Sequence, residues 1–155
     1  MKYIILTQGK KAIVDNDQFE LLNQWKWHHM KGYAVRREYI GKKRNFRDIY
    51  MHRVVNNTPH GLQTDHINRN KLDNRKRNLR SVTSGQNKIN VGLRSDNTSR
   101  HKGVWFEGSR KKWVAEIMFN KKKKFLGRFN LKSQAIIARK NATKKYHNSF
   151  TIAFT

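Results

Sequence analysis

Thr64-Asp65-His66-Ile67-Asn68, followed by Asp73-Asn74-Arg75-Lys76-Arg77-Asn78-Leu79-Arg80 and then by Gln86-Asn87, is the stretch on which the reading of this chain turns. A carboxylate beside an imidazole, with an asparagine amide brought in from further along, supplies oxygen ligands for a hard cation and a base for water. That is the minimum set for hydrolysing a phosphodiester. Asp65 would bind the metal, Asn87 would add a carbonyl oxygen, and His66 would take a proton from the attacking water. An imidazole with a pKa of about 6.5 suits that task if its other nitrogen is held by an acceptor, for which a backbone carbonyl is expected. Successive strand residues face opposite ways, so Asp65 and His66 can address one phosphate only where a strand ends or bends.

The surrounding pattern supports such an ending. Residues 61–64 lead in as a strand, Asn68 to Asn78 form a polar loop, Leu79 to Thr83 return as a second strand, and Ser84 caps a helix carrying Asn87. Asp and Asn are also ordinary turn formers, and that reading would win for an isolated Asp-His pair. Here the pattern is longer: with His52-Arg53, Asp65-His66-Ile67-Asn68, Asp73-Asn74-Arg75, Asn78-Leu79-Arg80 and Asn87, residues 52–87 resemble the HNH family of endonucleases. The likeness is to phage and intron-encoded homing enzymes with a ββα-metal site. The resemblance implies that Asp65 and Asn87 are metal ligands, that His66 is the general base, and that Asn78 clamps the loop across the hairpin. Colicin-type members use histidine ligands. Asn87 stands where one of those would be and Val91 cannot coordinate, which favours Mg²⁺ or Mn²⁺ over zinc. His52 and Arg53 also match, as phosphate contacts or as packing of a short helix. His28, His29, His60, His101 and His147 have no partner at ligand spacing.

The 155 residues carry 35 Lys+Arg against 10 Asp+Glu, a net charge of +25, shared as +12 in residues 1–90 and +13 in residues 91–155. Both halves should therefore touch phosphate, and double-stranded DNA is the expected partner. The absence of cysteine excludes disulfides and thiolate zinc sites. Tyr3 to Leu6 is too short an apolar run for a signal peptide or a membrane span, so a cytoplasmic protein without membrane contact is expected, in a bacterial host if phage-encoded. A monomer with no small-molecule substrate completes the expectation.

In the N-terminal half, strands are expected at 2–7 and 11–15 around Gly9, then a helix opened by a capping box of Asp17 and Glu20 with Phe19, Leu22 and Trp25 inward. Strands at 27–39, broken at Lys31-Gly32, and at 46–51, after the turn Gly41-Lys42-Lys43-Arg44, would make a small mixed sheet. A helical turn at 52–55 ends before Pro59. Residues 92–99 read as a linker. Beyond it, Val104 to Glu107, Trp113 to Phe119 and Phe125 to Phe129 read as three strands, with Lys121 to Lys124 at a hairpin end, and 132–147 as a helix.

Lys102-Gly103-Val104, Trp113-Val114-Ala115-Glu116-Ile117, Leu126-Gly127-Arg128-Phe129 and Tyr146-His147-Asn148-Ser149-Phe150 make residues 100–154 resemble the plant ethylene-response-factor (Apetala-type) DNA-binding domain. That resemblance implies a sheet that enters the major groove with a helix behind it. Strand alternation puts Val104, Phe106, Trp113, Ala115 and Ile117 toward the helix, and Trp105, Glu107, Glu116, Met118, Lys123 and Phe125 toward DNA. The plant arginines are replaced at Trp105, Glu107 and Met118, which points to thymine methyl contacts instead. The DNA-binding set is then Lys102, Trp105, Arg110, Lys112, Met118, Lys121, Lys123, Phe125 and Arg128.

The expected fold is α+β: a ββα-metal (HNH) nuclease domain over residues 1–91, with its ββα unit at about 61–91, a linker at 92–99, and a three-stranded antiparallel sheet packed on one helix over 100–155. The expected function is a Mg²⁺-dependent homing-type or nicking DNA endonuclease, Mn²⁺ being able to substitute. The alternatives are a DNA-binding regulator with an inactive HNH scaffold, and an RNA binder, disfavoured because the A-form major groove is too narrow for a sheet.

Overall fold

The computed structural model describes residues 1–41 and 45–147. Parts of the expected 41–44 turn and of the second resemblance, at 148–154, lie outside the described residues. The chain divides into two compact units, residues 1–87 and 88–155.

Alternating burial sets up the first hairpin, in which β1 (Lys2–Ile5) and β2 (Lys11–Val14) pair antiparallel and turn Ile4, Ala12 and Val14 inward. Helix α1 (Asn16–Asn23) packs Leu22 and Phe19 against them. It starts before the expected capping box. Asp15 holds the N-cap position, but its carboxylate accepts the backbone N–H of Lys76 at 2.7 Å, and Glu20 pairs with Lys2 at 3.2 Å. Trp25 also departs from expectation. It is 48% exposed with the Arg36 guanidinium 4.2 Å over its ring, while Trp27 is buried and donates its indole N–H to the Leu22 carbonyl at 2.8 Å.

Strands β3 (His28–Met30), β4 (Tyr33–Tyr39) and β5 (Phe46–Tyr50) form an antiparallel sheet in that order, followed by α2 (Met51–Val55). Strands β6 (Gln63–His66) and β7 (Leu79–Val82) make a separate antiparallel pair, and α3 (Ser84–Asn90) follows. The expected mixed sheet is thus corrected to antiparallel pairs with isolated parallel bridges at Leu6–Trp27 and Ile13–Asp73. Short turns suit antiparallel pairing, whereas a parallel pair needs a crossover of a dozen or more residues. Ile4, Leu6, Leu22, Trp27, Met51, Val55 and Leu79 share one core. Each such side chain contributes roughly 1.5–3 kcal/mol when fully buried.

In the second unit β8 (Val104–Glu107), β9 (Lys112–Phe119) and β10 (Lys122–Phe129) form an antiparallel sheet with β9 in the middle, and α4 (Lys132–His147) packs on it. Val104, Ala115 and Ala135 are its buried centre, flanked by Trp113, Leu126 and Phe129. The lysine run is not the hairpin end. Asn120 and Lys121, with φ of 48° and 62°, make the turn, so Lys122 to Lys124 belong to β10. Left-handed conformation at both central residues is what a tight hairpin turn requires. Gly103 allows β8 to start against β9: a Cβ there would lie 2.4 Å from the Glu116 carbonyl oxygen. Among the described residues no helix is long and apolar enough to cross a membrane.

Candidate active site

Strand β6 ends at His66, where the chain turns into a loop closed on itself by its own amides. The Asn78 side chain, buried, accepts the Asn68 N–H at 2.9 Å and donates to the Asp73 carbonyl at 2.8 Å, while the Ile67 N–H reaches the Asn78 carbonyl at 2.8 Å. Arg75 grips the Asp73 carboxylate at 2.7 and 2.6 Å, which holds that carboxyl below the usual range. The loop is also tied to β2: Ile13 gives its N–H to the Leu72 carbonyl and receives that of Asn74, each at 2.8 Å.

Asp65, 6% exposed, sits opposite Arg80 in the β6–β7 register, and Arg80 places Nε and Nη2 at 2.9 and 2.8 Å from one carboxylate oxygen. Helix α3 begins with a capping box, but Thr83 is the cap and Ser84, expected there, is the first helical residue. The Thr83 N–H donates to Gln86 Oε1 at 2.8 Å, and the Gln86 N–H to Thr83 Oγ1 at 3.3 Å. One turn on, Asn87 donates Nδ2–H to Gln63 Oε1 at 2.8 Å. Gln63 lies two residues before Asp65 and therefore on the same side of β6. The Asn87 amide nitrogen is thus engaged, and its carbonyl oxygen is the atom suited to a cation.

His66, 5% exposed, points to the other side of the strand, where its Nε2 lies 3.3 Å from Asn74 Oδ1. A side-chain amide from the loop thus holds this ring nitrogen. With that oxygen accepting, Nε2 carries the hydrogen and Nδ1 the lone pair. The ring meets His52 edge-on at 5.1 Å and Tyr33 at 6.1 Å, and His52 in turn packs on Tyr33 and Tyr50. Burial pushes the His66 pKa down, against the Asn74 bond and the charges of Asp65 and Asp73, which pull it up. His52 is pushed further, to about 3, by burial and by its neighbour His66. Both rings are neutral at neutral pH.

Strand, tied loop, strand and helix thus put a neutral imidazole at the end of β6 and two oxygen donors on its other side. Residues 50–89 match the HNH endonuclease family. Every residue placed above from His52 to Asn87 falls inside the HNH segment. An uncharacterized HNH endonuclease of Acanthamoeba polyphaga mimivirus is 34% identical over 105 residues, covering 66% of this chain and 54% of the relative, so the chain spans about half of that relative's length. No solved structure matches.

Among the described residues, no three His, Asp or Glu side chains converge on a point. An ion in the HNH segment would therefore rest on the Asp65 carboxylate and the Asn87 carbonyl, completed by water and substrate. That donor set fits Mg²⁺, which keeps several waters and takes one or two carboxylates plus phosphate oxygens. Sequence reasoning missed Gln63, Tyr33 and the roles of Asn74 and Arg80, whereas His52, for which packing was one of two readings, is buried against Tyr33 and His66. Arg80 was legible in principle, since pairing Asp65 with its cross-strand partner needs only the hairpin register.

The second unit presents an open face opposite α4. By register, Trp105, Val114 and Arg128 form one row, Glu107 and Lys112 the next on one side, and Glu116 with Phe125, then Met118 with Lys123, continue on the other. Trp105, Met118 and Phe125 are 38, 50 and 56% exposed. Lys123 lies 3.4 Å from Glu116, Arg110 and Arg128 both bind Glu107, and Lys112 bonds Asn130. Lys102 instead gives Nζ to the carbonyls of Lys88, Ile89 and Val91 at 3.0–3.2 Å, closing the end of α3.

Proposed function

We propose that the chain is an endonuclease that hydrolyses phosphodiester bonds of double-stranded DNA with one Mg²⁺ or Mn²⁺ ion, and that the open face of the β8–β10 sheet holds the duplex in the manner of the ethylene-response-factor domain it resembles. The observation that carries the reading is the buried His66 ring held at Nε2 by Asn74, on the strand that bears Asp65. His66 Nδ1 takes the proton of the attacking water. Asn74 keeps the tautomer and orientation that this requires, and Asn78 keeps the loop bearing Asn74 in place. Asp65 and Asn87 would hold the cation, which supplies positive charge for the phosphate oxygens of the transition state. Arg80 holds the Asp65 carboxylate in place through its two hydrogen bonds.

Lys121 at the β9–β10 turn and Lys123 on the open face grip phosphate without reading sequence, while Trp105 and Met118 meet base edges. A second reading, a DNA-binding regulator with an inert HNH scaffold, draws support from the Arg80 fork on Asp65, which occupies a carboxylate oxygen that a cation would use. Incubation with supercoiled plasmid, with Mg²⁺ or with EDTA, decides between them. Nicked circles that depend on Mg²⁺ are expected, since a monomer with one site cuts one strand. Unchanged plasmid under both conditions, with the duplex still bound, would establish the regulator.

A further inference from the structure

We propose that Arg128 reads a guanine in the major groove and that Glu107 makes this contact selective by holding the guanidinium in place. This rests on the reading that the open face of the β8–β10 sheet meets duplex DNA.

Glu107 accepts Arg128 Nε at 2.7 Å on one oxygen, and Arg128 Nη2 at 3.3 Å with Arg110 Nη1 at 2.9 Å on the other. The Arg128 guanidinium also lies 5.0 Å over the Phe125 ring. Carboxylate and ring together fix a planar group that would otherwise sweep a wide volume. A guanidinium has two edges that can give paired hydrogen bonds. Glu107 takes the Nε edge, and among the described residues no acceptor faces the other edge, Nη1 with Nη2. That edge matches two acceptors side by side.

Duplex DNA offers two such pairs, phosphate oxygens and the O6 and N7 of guanine. Glu107 decides between them. Its negative charge beside the fork repels a phosphate but not a neutral base edge. Arg128 keeps the Glu107 carboxyl below the usual range, so the charge is present throughout the working pH. The position agrees: Arg128 shares its row with Val114 and the exposed Trp105 and lies away from the lysine-bearing hairpin turn. With side chains 42 and 21% exposed, the pair adds little stability. Its effect is to remove most of the ordering cost when the base is met.

The test uses the full chain in EDTA, so that DNA stays intact, and selection of sites from a randomised duplex pool followed by titration at several salt concentrations. The intact chain should select a guanine at one position. Arg128→Ala and Arg128→Lys should lose that preference roughly tenfold or more while keeping the others, with an unchanged slope of log K against log salt. Replacing that guanine by 7-deazaguanine should weaken the intact chain and leave Arg128→Ala unaffected. Glu107→Gln should lower the preference and bind scrambled duplex more tightly. If Arg128→Ala weakens every duplex alike and flattens the slope by about 0.9, the residue holds phosphate and the proposal is wrong. Retention of the guanine preference by Arg128→Ala overturns this assignment alone, whereas absence of duplex binding by the intact chain overturns the reading of the open face as well.

Discussion

Asp65 and Arg80 face each other across the β6–β7 hairpin, and the guanidinium gives two hydrogen bonds to a single oxygen of the buried carboxylate. Removing one partner leaves a charge out of water without its counterion. Arg80→Met should cost ~3 kcal/mol, the lower end for a buried pair because Arg80 keeps some water contact. Adding Asp65→Asn should recover much of this. Urea denaturation of the three proteins measures it, and a loss below about 0.5 kcal/mol would class the pair with surface ion pairs.

His66→Ala should lower plasmid cleavage by roughly 10²–10⁴-fold while DNA affinity stays nearly intact, since a neutral imidazole adds little to phosphate binding. Cleavage rates and gel-shift titrations on the same preparation check both halves. Cleavage within a few-fold of the intact chain would remove His66 from its assigned role.

Asn74→Asp replaces a neutral acceptor on His66 by a charged one. His66 is held below its ordinary pKa, so the acid limb of cleavage should lie below about pH 6.5 in the intact chain. The new carboxylate favours the imidazolium, and the base is then protonated at higher pH. The limb should therefore move upward in the variant, as a cleavage pH profile would show. No movement would mean that Asn74 does not hold the catalytic ring.

His52 is neutral and buried, with its pKa lowered to about 3. Above about pH 6.5 folded and unfolded chains both carry it neutral, and its contribution is complete. As the pH falls from there toward 3, the unfolded chain takes up the proton first and stability is lost, at up to ~1.4 kcal/mol per pH unit. His52→Phe should melt with a shallower acid dependence between pH 6.5 and 4. Equal dependence in the two proteins would contradict the assignment.

Asn78→Ala deprives the Asn68 N–H and the Asp73 carbonyl of their partners at once. A loss of about 1–3 kcal/mol for each group left buried is expected, with cleavage falling alongside. A variant as stable as the intact chain yet inactive would place Asn78 in the chemistry instead of in the loop.

The parts of this molecule that sequence carries well are those with local causes. Alternation in Val104, Trp113 and Ala115 predicted the buried side of the second sheet, and the turn residues around Gly9 and Lys31-Gly32 marked real hairpins. Long-range competition explains the misses. Asp17 and Glu20 look like a capping box, but the cap falls at Asp15, and Lys76 and Lys2 claim the Asp15 and Glu20 carboxylates from 61 and 18 residues away. Trp25 and Trp27 have similar local surroundings, and the buried one is set apart by the Leu22 carbonyl and by its bridge to Leu6. At the site, Asn74 reaches His66 because its neighbours bridge to β2, a contact without periodicity. His52 and Tyr33 come together by packing, which no spacing announces.

The bridge at Ile13 bears on where this protein can be divided. The stretch with the family pattern, residues 50–89, holds every proposed catalytic side chain, yet the backbone of its loop is completed by a strand laid down before residue 15. Most of the described core of that unit also comes from the first thirty residues, from Ile4 to Trp27. The pattern is therefore a chemical unit without being a folding unit. Transplanting residues 50–89 into another scaffold would carry the reactive groups and leave behind the surface that shapes them.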